Sequence, residues 1–480
     1  MALGLALFYK SHDLALMLVG LLLFGLFALL QPDLALLFAL GTVPLFMIPA
    51  QLSGLRDQPV LLPLHEVALL LVAGVGIIRW LSRQIWYRSE PFLISLRRLP
   101  GAIRRWVAGH IPAVLLIVAG ILGVLSAVPE GRSAALRELR WLIVEPLLFY
   151  SLLSAAFNRP GALGARNRAL ALGVFILSGA VVALVGVLQF VAIDPVWIFG
   201  TKQVLVASVI PEPGLWRVTS VYGSPNNLGL YLGRVWPLAV ALLIVAWRSK
   251  QLETFQRWWR MSWLAAAIVL CLGGLVVSFS RGAWLGVGAA LLVLVFPQFG
   301  RHRSQRRMLA WIALGATLAL IIGLAFSLRG GIISANPLMR LSFWREALLL
   351  IQQHPLGIGL DQFFYYHNPI YGRSQLSPLE LASVDPTAAH PHNLVLDIWL
   401  RVGPLGSAAF AWLLLRFVQQ TYAPAQAAED GYADWIARGA LAAIAAALVH
   451  GLVDNFYFVP DLAFAFWFLL ALAKTQPTEP

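Results

Sequence analysis

The stretch Ala169-Leu-Ala-Leu-Gly-Val-Phe-Ile-Leu-Ser-Gly-Ala-Val-Val-Ala-Leu-Val-Gly-Val-Leu-Gln-Phe-Val-Ala192 has no charged side chain and follows directly on Arg159, Arg166 and Arg168. A helix rises about 1.5 Å per residue, so crossing a hydrocarbon core about 30 Å thick takes about 20 apolar residues. The run is long enough to cross, and its arginines stand where cytoplasmic loops collect positive charge. Comparable runs lie near 14–30, 34–50, 60–78, 111–128, 141–157, 227–247, 262–279, 283–297, 309–327, 393–415, 435–452 and 457–473. Together they predict thirteen spans, or twelve if one short N-terminal run is re-entrant. The expected fold class is all-α: a polytopic integral membrane protein with about twelve transmembrane helices and one long extracytoplasmic loop.

Composition agrees. Of 480 residues, 60% are hydrophobic and 12% charged, and the mean hydropathy is +0.78. A soluble domain of that composition would expose a very large apolar surface, so the solvent is lipid. The net charge of +13 raises nucleic acid as a partner, but the basic residues sit in short loops between apolar runs, where membrane topology accounts for them. No nucleic-acid partner is expected. Cys271 is the single cysteine and lies inside an apolar run, which leaves neither a disulfide framework nor a cysteine metal site. The first run, after Lys10, imitates a signal peptide; a second run begins at Leu34, so it is expected to be retained.

Charge sets the orientation. Between Arg79 and Arg105 stand Arg79, Arg83, Arg88, Arg97, Arg98, Arg104 and Arg105 against Glu90 alone, which places this loop in the cytoplasm. Alternation then keeps three further basic clusters inside: Arg159/Arg166/Arg168, Arg248/Lys250/Arg257/Arg260, and Arg301/Arg303/Arg306/Arg307. The same alternation puts 193–226, the turn at Ser280 and Arg281, and the stretch 328–391 outside. Residues 1–168 are thus read as N-terminal helices with a basic cytoplasmic loop. Residues 169–475 form the part in which chemistry is expected, including the loop 328–391. That loop holds Phe343, Trp344, Ala347, Leu348, Leu349, Leu350 and Ile351, an amphipathic pattern ended by Pro355 and Gly357. One or two short helices over the membrane are expected there. No internal repeat is visible.

Three outward places hold polar residues that topology does not require. The first, Arg217-Val-Thr-Ser-Val-Tyr-Gly-Ser-Pro-Asn-Asn227, suits a turn and a helix N-terminus, which can hold an anion or simply be capped, with Arg217 at the headgroups. The second, Ser278-Phe-Ser-Arg281-Gly282, puts an arginine at the outer end of a hairpin, as a diphosphate ligand or a snorkelling anchor. The third, His390-Pro-His392-Asn393, opens a span. On a continuous helix His392, Leu396, Trp399, Gly403 and Gly406 fall within about 40° of one line, with Asp397 and Arg401 paired at i,i+4 on the other side. An interfacial histidine is the plain alternative, and a His-x-His zinc site lacks a third ligand in the sequence pattern.

His392-Asn393, nine residues, Gly403, two residues and Gly406 match the His-[Asn/Ser/Gln]-x9-Gly-x2-[Gly/Thr/Tyr] motif of the O-antigen ligases, which the chain resembles. The competing pair His367-Asn368 fails it, because the position ten after Asn368 is Pro378. The segments Arg340-Leu-Ser-Phe-Trp-Arg-Glu-Ala and His354-Pro-Leu-Gly-Ile-Gly-Leu-Asp-Gln-Phe363 look like that family's periplasmic loop, and Ser-Arg281-Gly like its hairpin top. The likeness covers roughly residues 170–475, in a superfamily of ligases, polymerases and O-oligosaccharyltransferases. It implies a metal-independent glycosyltransferase of the GT-C type in the bacterial plasma membrane, active on the periplasmic side and without a cofactor. The implied donor is a glycan on undecaprenyl diphosphate, and the acceptor a glycolipid, polysaccharide or protein. By the same likeness His392 is the base, Arg217 and Arg281 hold the donor diphosphate, and Asn393, Arg340, Arg345 and Tyr366 are further candidate substrate contacts. Gly403 and Gly406 are motif positions.

A neutral imidazole can accept the proton of an attacking hydroxyl, and arginines can stabilise a departing diphosphate. Phe364, Tyr365, Tyr366 and Tyr371 offer a sugar platform or ordinary loop packing. A transporter would use charges within the spans, for which Arg234, Asp397, Arg401 and Glu145 are available. A non-catalytic assembly subunit is the third class of reading.

Overall fold

The computed structural model describes residues 13–52, 60–86, 109–192, 209–212, 215–249, 253–295, 337–382, 384–426 and 431–474, with isolated positions 4, 7, 8, 101, 104 and 107. Of the thirteen apolar runs, the one near 309–327 lies outside the described residues, and each of the others coincides with a helix. Among the described residues, six helices are long and apolar enough to cross a membrane: Pro129–Phe157, Ala162–Val191, Pro225–Arg248, Thr254–Val277, Leu394–Tyr422 and Tyr432–Gly451. Five shorter apolar helices accompany them. The chain is a multi-pass helical membrane protein. Val269 and Leu292, each 69% exposed on helix faces, would be costly in water and are at home against lipid.

The expected count of about twelve full spans is not reached among the described residues, for a geometric reason. The apolar runs extend past helix ends into turns. The run 34–50 yields α2 (Pro32–Thr42), after α1 (Leu14–Leu30), and then a 3-10 turn and strand β1 (Ala50–Leu52). The run 60–78 begins in β2 (Val60–Leu62), antiparallel to β1, before α3 (Leu64–Trp86). Hydrophobicity counts those residues, but at about 1.5 Å per residue an eleven-residue helix rises only about 17 Å.

The remaining order is α4 (Ile111–Leu125), α5 (Arg132–Glu138), a π-helical turn (Leu139–Val144), α6 (Glu145–Phe157) and α7 (Ala162–Ala192). A hairpin of β3 (Val209–Glu212) and β4 (Leu215–Val218) leads to α8 (Pro225–Arg248), α9 (Thr254–Val277) and α10 (Arg281–Val295). A surface layer follows, with α11 (Pro337–Gln353), α12 (Phe363–His367) and α13 (Pro378–Leu381). The bundle closes with α14 (Leu394–Gln426), α15 (Tyr432–Gly451) and α16 (Pro460–Lys474).

The bundle is centred on α8, which packs against α7, α9, α10 and α15 and is buried through Val235, Trp236, Leu238, Ala239 and Val240. Of these, α8, α10 and α15 pack closely because they meet at small residues: a side chain at Gly229 of α8 would press on Ala283 of α10, and one at Gly286 of α10 on the Ala446 carbonyl of α15. The layer α11–α13 has its own core of Phe343, Ala347, Leu350, Ile358, Phe363 and Leu376, shared with Leu400 of α14. The amphipathic pattern ending at Pro355 is thus a helix, as expected.

The continuous stripe expected from His392 to Gly406 does not form. His392 precedes α14, and the helix breaks at Gly403, whose φ of 63° and ψ of −170° are open to glycine alone. Pro404 follows and has no N–H to give to the Leu400 carbonyl. That carbonyl instead accepts the N–H groups of Ile358 at 2.8 Å and Gly359 at 3.1 Å, while Trp399 donates to Pro355 O at 3.1 Å. A side chain at Gly403 would fall on the Leu356 carbonyl. Gly406 does serve close packing, against Ala119 of α4.

Of the charges that kept a transporter in view, Asp397, Arg401 and Glu145 stand in ion pairs and Arg234 is bonded to backbone carbonyls. Arg234 donates to the carbonyls of Leu230 and Phe456, at 2.6 and 2.5 Å. Arg401 bonds Asp397 at 2.8 Å, both Glu138 oxygens at 2.5 Å and the Ala389 carbonyl at 3.2 Å. Glu145 lies 3.3 Å from Arg140.

Candidate active site

The ends of seven elements converge at one end of the bundle. Gln189, near the end of α7, exchanges two hydrogen bonds with the backbone of Ser220, at 2.8 and 2.9 Å, and so holds the turn after β4. Just before that turn, β4 carries Arg217, paired in register with Ile210. Its Nε donates to the Ser278 carbonyl at the end of α9 (3.1 Å) and its Nη2 to Asn226 Oδ1 (3.3 Å). Ser224 caps α8, accepting from Asn226 N. Ser280, before α10, places its Oγ 3.2 Å from His450 Nε2 at the end of α15, and Arg281 follows on the exposed side.

His392 sits in the left-handed region with φ 51°, a strained setting for a non-glycine residue of the kind that gathers at functional sites. Its conformation is held from several sides. The N–H donates to His390 Nδ1 (3.2 Å), and the carbonyl accepts from Trp344 Nε1 (3.3 Å). The ring lies 5.7 Å from that of Phe343 and 4.2 Å from that of His390. Asn393 caps α14, accepting from the N–H groups of Val395 and Leu396, and donates to the Leu452 carbonyl at 3.1 Å. Such a cap contributes about 1 kcal/mol, and here it also ties α14 to the segment after α15.

That segment supplies Asp454, which is 2% exposed. Its Oδ1 lies 3.4 Å from His392 Nδ1 and accepts the Asn455 N–H at 2.7 Å. Its Oδ2 accepts from Asn226 at 2.5 Å and lies 3.8 Å from Arg340 Nη2. Burial alone would push the Asp454 carboxyl up, but His392, His390 and His450 around it hold it below the usual carboxylate range. Burial, with His392, Arg401 and Arg340 nearby, keeps His390 well below its ordinary value despite Asp454. One chain of contacts therefore runs from Arg217 through Asn226 and Asp454 to His392, with Arg340 at its side.

Of the residues expected from sequence, the structure brings together His392, Arg340, Arg217 and Asn393, with Arg281 beside Ser280. Arg345 lies elsewhere on the surface layer, ion-paired with Glu380. Tyr366 packs edge-on to His354, with ring centroids 5.4 Å apart, away from Phe364, Tyr365 and Tyr371, which cluster at 5.2 to 5.9 Å. His367, which fails the motif, is buried and bonded to Glu346 Oε2 (2.6 Å) and the Asp385 carbonyl (2.8 Å).

Sequence reasoning missed Asp454 and the bridging role of Asn226. The signal was present: Asp454-Asn455 is a polar pair between two apolar runs, at the same end of the bundle as His392. The third ligand that a His-x-His site lacks in the sequence pattern exists in space, since donor atoms of His390, His392 and Asp454 all lie within 4.8 Å of one another.

Residues 266–411 match the family model described as O-antigen ligase. No curated protein matches the chain. The matched segment contains Arg281, Arg340, Arg345, Tyr366, His392, Gly403 and Gly406, while Arg217 and Asp454 lie outside it. The matched segment, which contributes His392 and its loop layer, is similar to the O-antigen ligase family.

Proposed function

We propose that this protein is a ligase-type glycosyltransferase of the bacterial plasma membrane, moving a glycan from undecaprenyl diphosphate to a glycolipid hydroxyl on the outer, periplasmic face. The observation that carries the reading is the His392–Asp454 pair at the end of the bundle where Arg217, Arg281 and Arg340 also stand. The acceptor hydroxyl attacks the anomeric carbon and gives its proton to His392 as the new C–O bond forms. The bond from that carbon to the diphosphate breaks, and undecaprenyl diphosphate departs with its charge held by arginine donors. Asp454 orients the imidazole and stabilises the imidazolium that results, without itself taking the proton. Arginines fill the place that a magnesium ion takes in many phosphate enzymes.

Support for the outer face comes from the ends that do not meet at this site. Arg159 just before α7 with Arg166 and Arg168 in its first turns, and Arg248 at the end of α8 with Arg257 in the first turn of α9, belong to the opposite ends of those helices. A transporter is disfavoured because Arg401 and Glu145 are ion-paired and Arg234 is bonded to backbone carbonyls.

The test is transfer of a polyprenyl-diphosphate glycan to lipopolysaccharide core in vesicles holding the purified protein. His392→Ala should lower turnover by about 10²- to 10⁴-fold while donor binding persists, the usual range for losing a general base. Wild-type turnover in that variant would exclude the base role, and transfer that requires an added divalent ion would remove the arginine-only mechanism.

A further inference from the structure

We propose that His390, His392 and Asp454 bind one transition-metal dication of the zinc type, and that the bound ion blocks transfer. The binding claim stands on the cluster alone; the inhibitory consequence rests on the proposed role of His392. Two imidazoles and one carboxylate form a donor set that zinc uses in sites with an open fourth position. With metal–ligand bonds of about 2.0–2.1 Å, the edge of a tetrahedron is about 3.3 Å. The 3.4 Å between His392 Nδ1 and Asp454 Oδ1 is long for a hydrogen bond and close to that edge.

The cluster is also built rather than incidental. Asp454 is fixed by the Asn455 N–H and by Asn226, and His392 by its strained φ and its bond to His390. These are contacts of the kind that orient ligands from outside a metal's own shell. Arg340 stands 3.8 Å from Asp454 Oδ2. It faces the oxygen away from His392, so an ion on Oδ1 need not displace it, though its charge lowers affinity. Imidazole nitrogens favour zinc, nickel and copper over magnesium and calcium, which require oxygen-rich shells. Once bound through Nδ1, the ion takes the single basic lone pair of the neutral imidazole and leaves the ring proton on Nε2, so His392 cannot accept a proton.

The experiment is titration calorimetry of the full chain in detergent with zinc chloride, with magnesium chloride as control. One zinc per chain should bind, magnesium should give no heat, and His390→Ala and Asp454→Asn should each weaken zinc by at least about tenfold. Stoichiometric binding unchanged in both variants, or no binding to the wild type, would overturn the proposal. Because either variant can perturb the turn, His390→Cys provides an independent reading. Cadmium should produce a thiolate charge-transfer band in it and none in the wild type, whose single cysteine, Cys271, is buried in α9. Absence of that band in a folded His390→Cys chain would also sink the idea. Zinc inhibition of wild-type transfer, relieved by chelator, then tests the consequence; binding without inhibition would refute the blocking role and count against His392 as the base.

Discussion

Asp454 holds the Asn455 N–H and the side chain of Asn226 in α8, and presents one oxygen to His392 Nδ1 at 3.4 Å. The residue is buried, and its carboxyl is held below the usual range by the histidines around it, against the opposing effect of burial. A lowered folded pKa means stability present above the unfolded carboxylate value of about 3.9 and lost as pH falls through it toward the folded value. Thermal melting of Asp454→Asn should therefore fall below wild type at pH 6, and the gap should close as pH drops under about 4. A gap independent of pH would show that the charge is not what stabilises. Turnover of the same variant should fall by about 10²-fold or more, since the imidazole loses its orienting acceptor.

Arg281 opens α10 beside Ser280. If its planar fork binds diphosphate through two parallel hydrogen bonds, Arg281→Lys should impair transfer nearly as much as Arg281→Ala, because an ammonium supplies charge without that geometry. Steady-state kinetics on both variants decide it. Full activity in the lysine form would reduce the residue to a charge or an anchor.

Gly403→Ala should be far more harmful than its size suggests. The backbone there has φ 63° and ψ −170°, and the added Cβ would meet the Leu356 carbonyl. A cost of about 1–3 kcal/mol from the conformation alone is expected, with the clash added to it. Gly288→Ala, inside α10 where a Cβ meets nothing within 4 Å, is the control and should melt at or slightly above wild type. Equal melting of the two variants would contradict the kink.

His367 should act as a pH-dependent fastener of the surface layer. Both ring nitrogens face acceptors, the Glu346 carboxylate and the Asp385 carbonyl, so the protonated ring satisfies both. Burial opposes that charge, yet Glu346 and Asp385 outweigh it and raise the pKa. The stabilisation is then complete below about pH 6.5 and disappears as pH rises through the raised folded value. Protection of the amides in 337–382, taken relative to their intrinsic base-catalysed exchange, should fall at alkaline pH in the wild type, and His367→Gln should lack that fall.

Helix content and the location of the polar cluster were legible because lipid makes hydrophobic runs unambiguous and because Arg217, Arg281 and His392 begin or end such runs. What sequence could not supply was set by backbone events. A helical wheel through His392 and Gly403 assumes unbroken geometry, and neither the left-handed turn at His392 nor the break at Gly403 leaves a periodic trace. Asp454 stands 62 residues from His392 along the chain, and only folding joins them. The β3–β4 hairpin that presents Arg217 is too short to give a readable alternation.

The orphaned carbonyl of Leu400 has a consequence for recombination. Because Ile358 and Gly359 complete the hydrogen bonding that Pro404 denies to α14, the loop segment and the helix are a single unit of inheritance. A chimera that exchanges 337–391 with that of a relative keeps these bonds only if the incoming backbone at 358–359 follows the same path against the break at 399–404. Where the paths differ, grafts cut at residue 391 should misfold, and grafts cut after 406 should not.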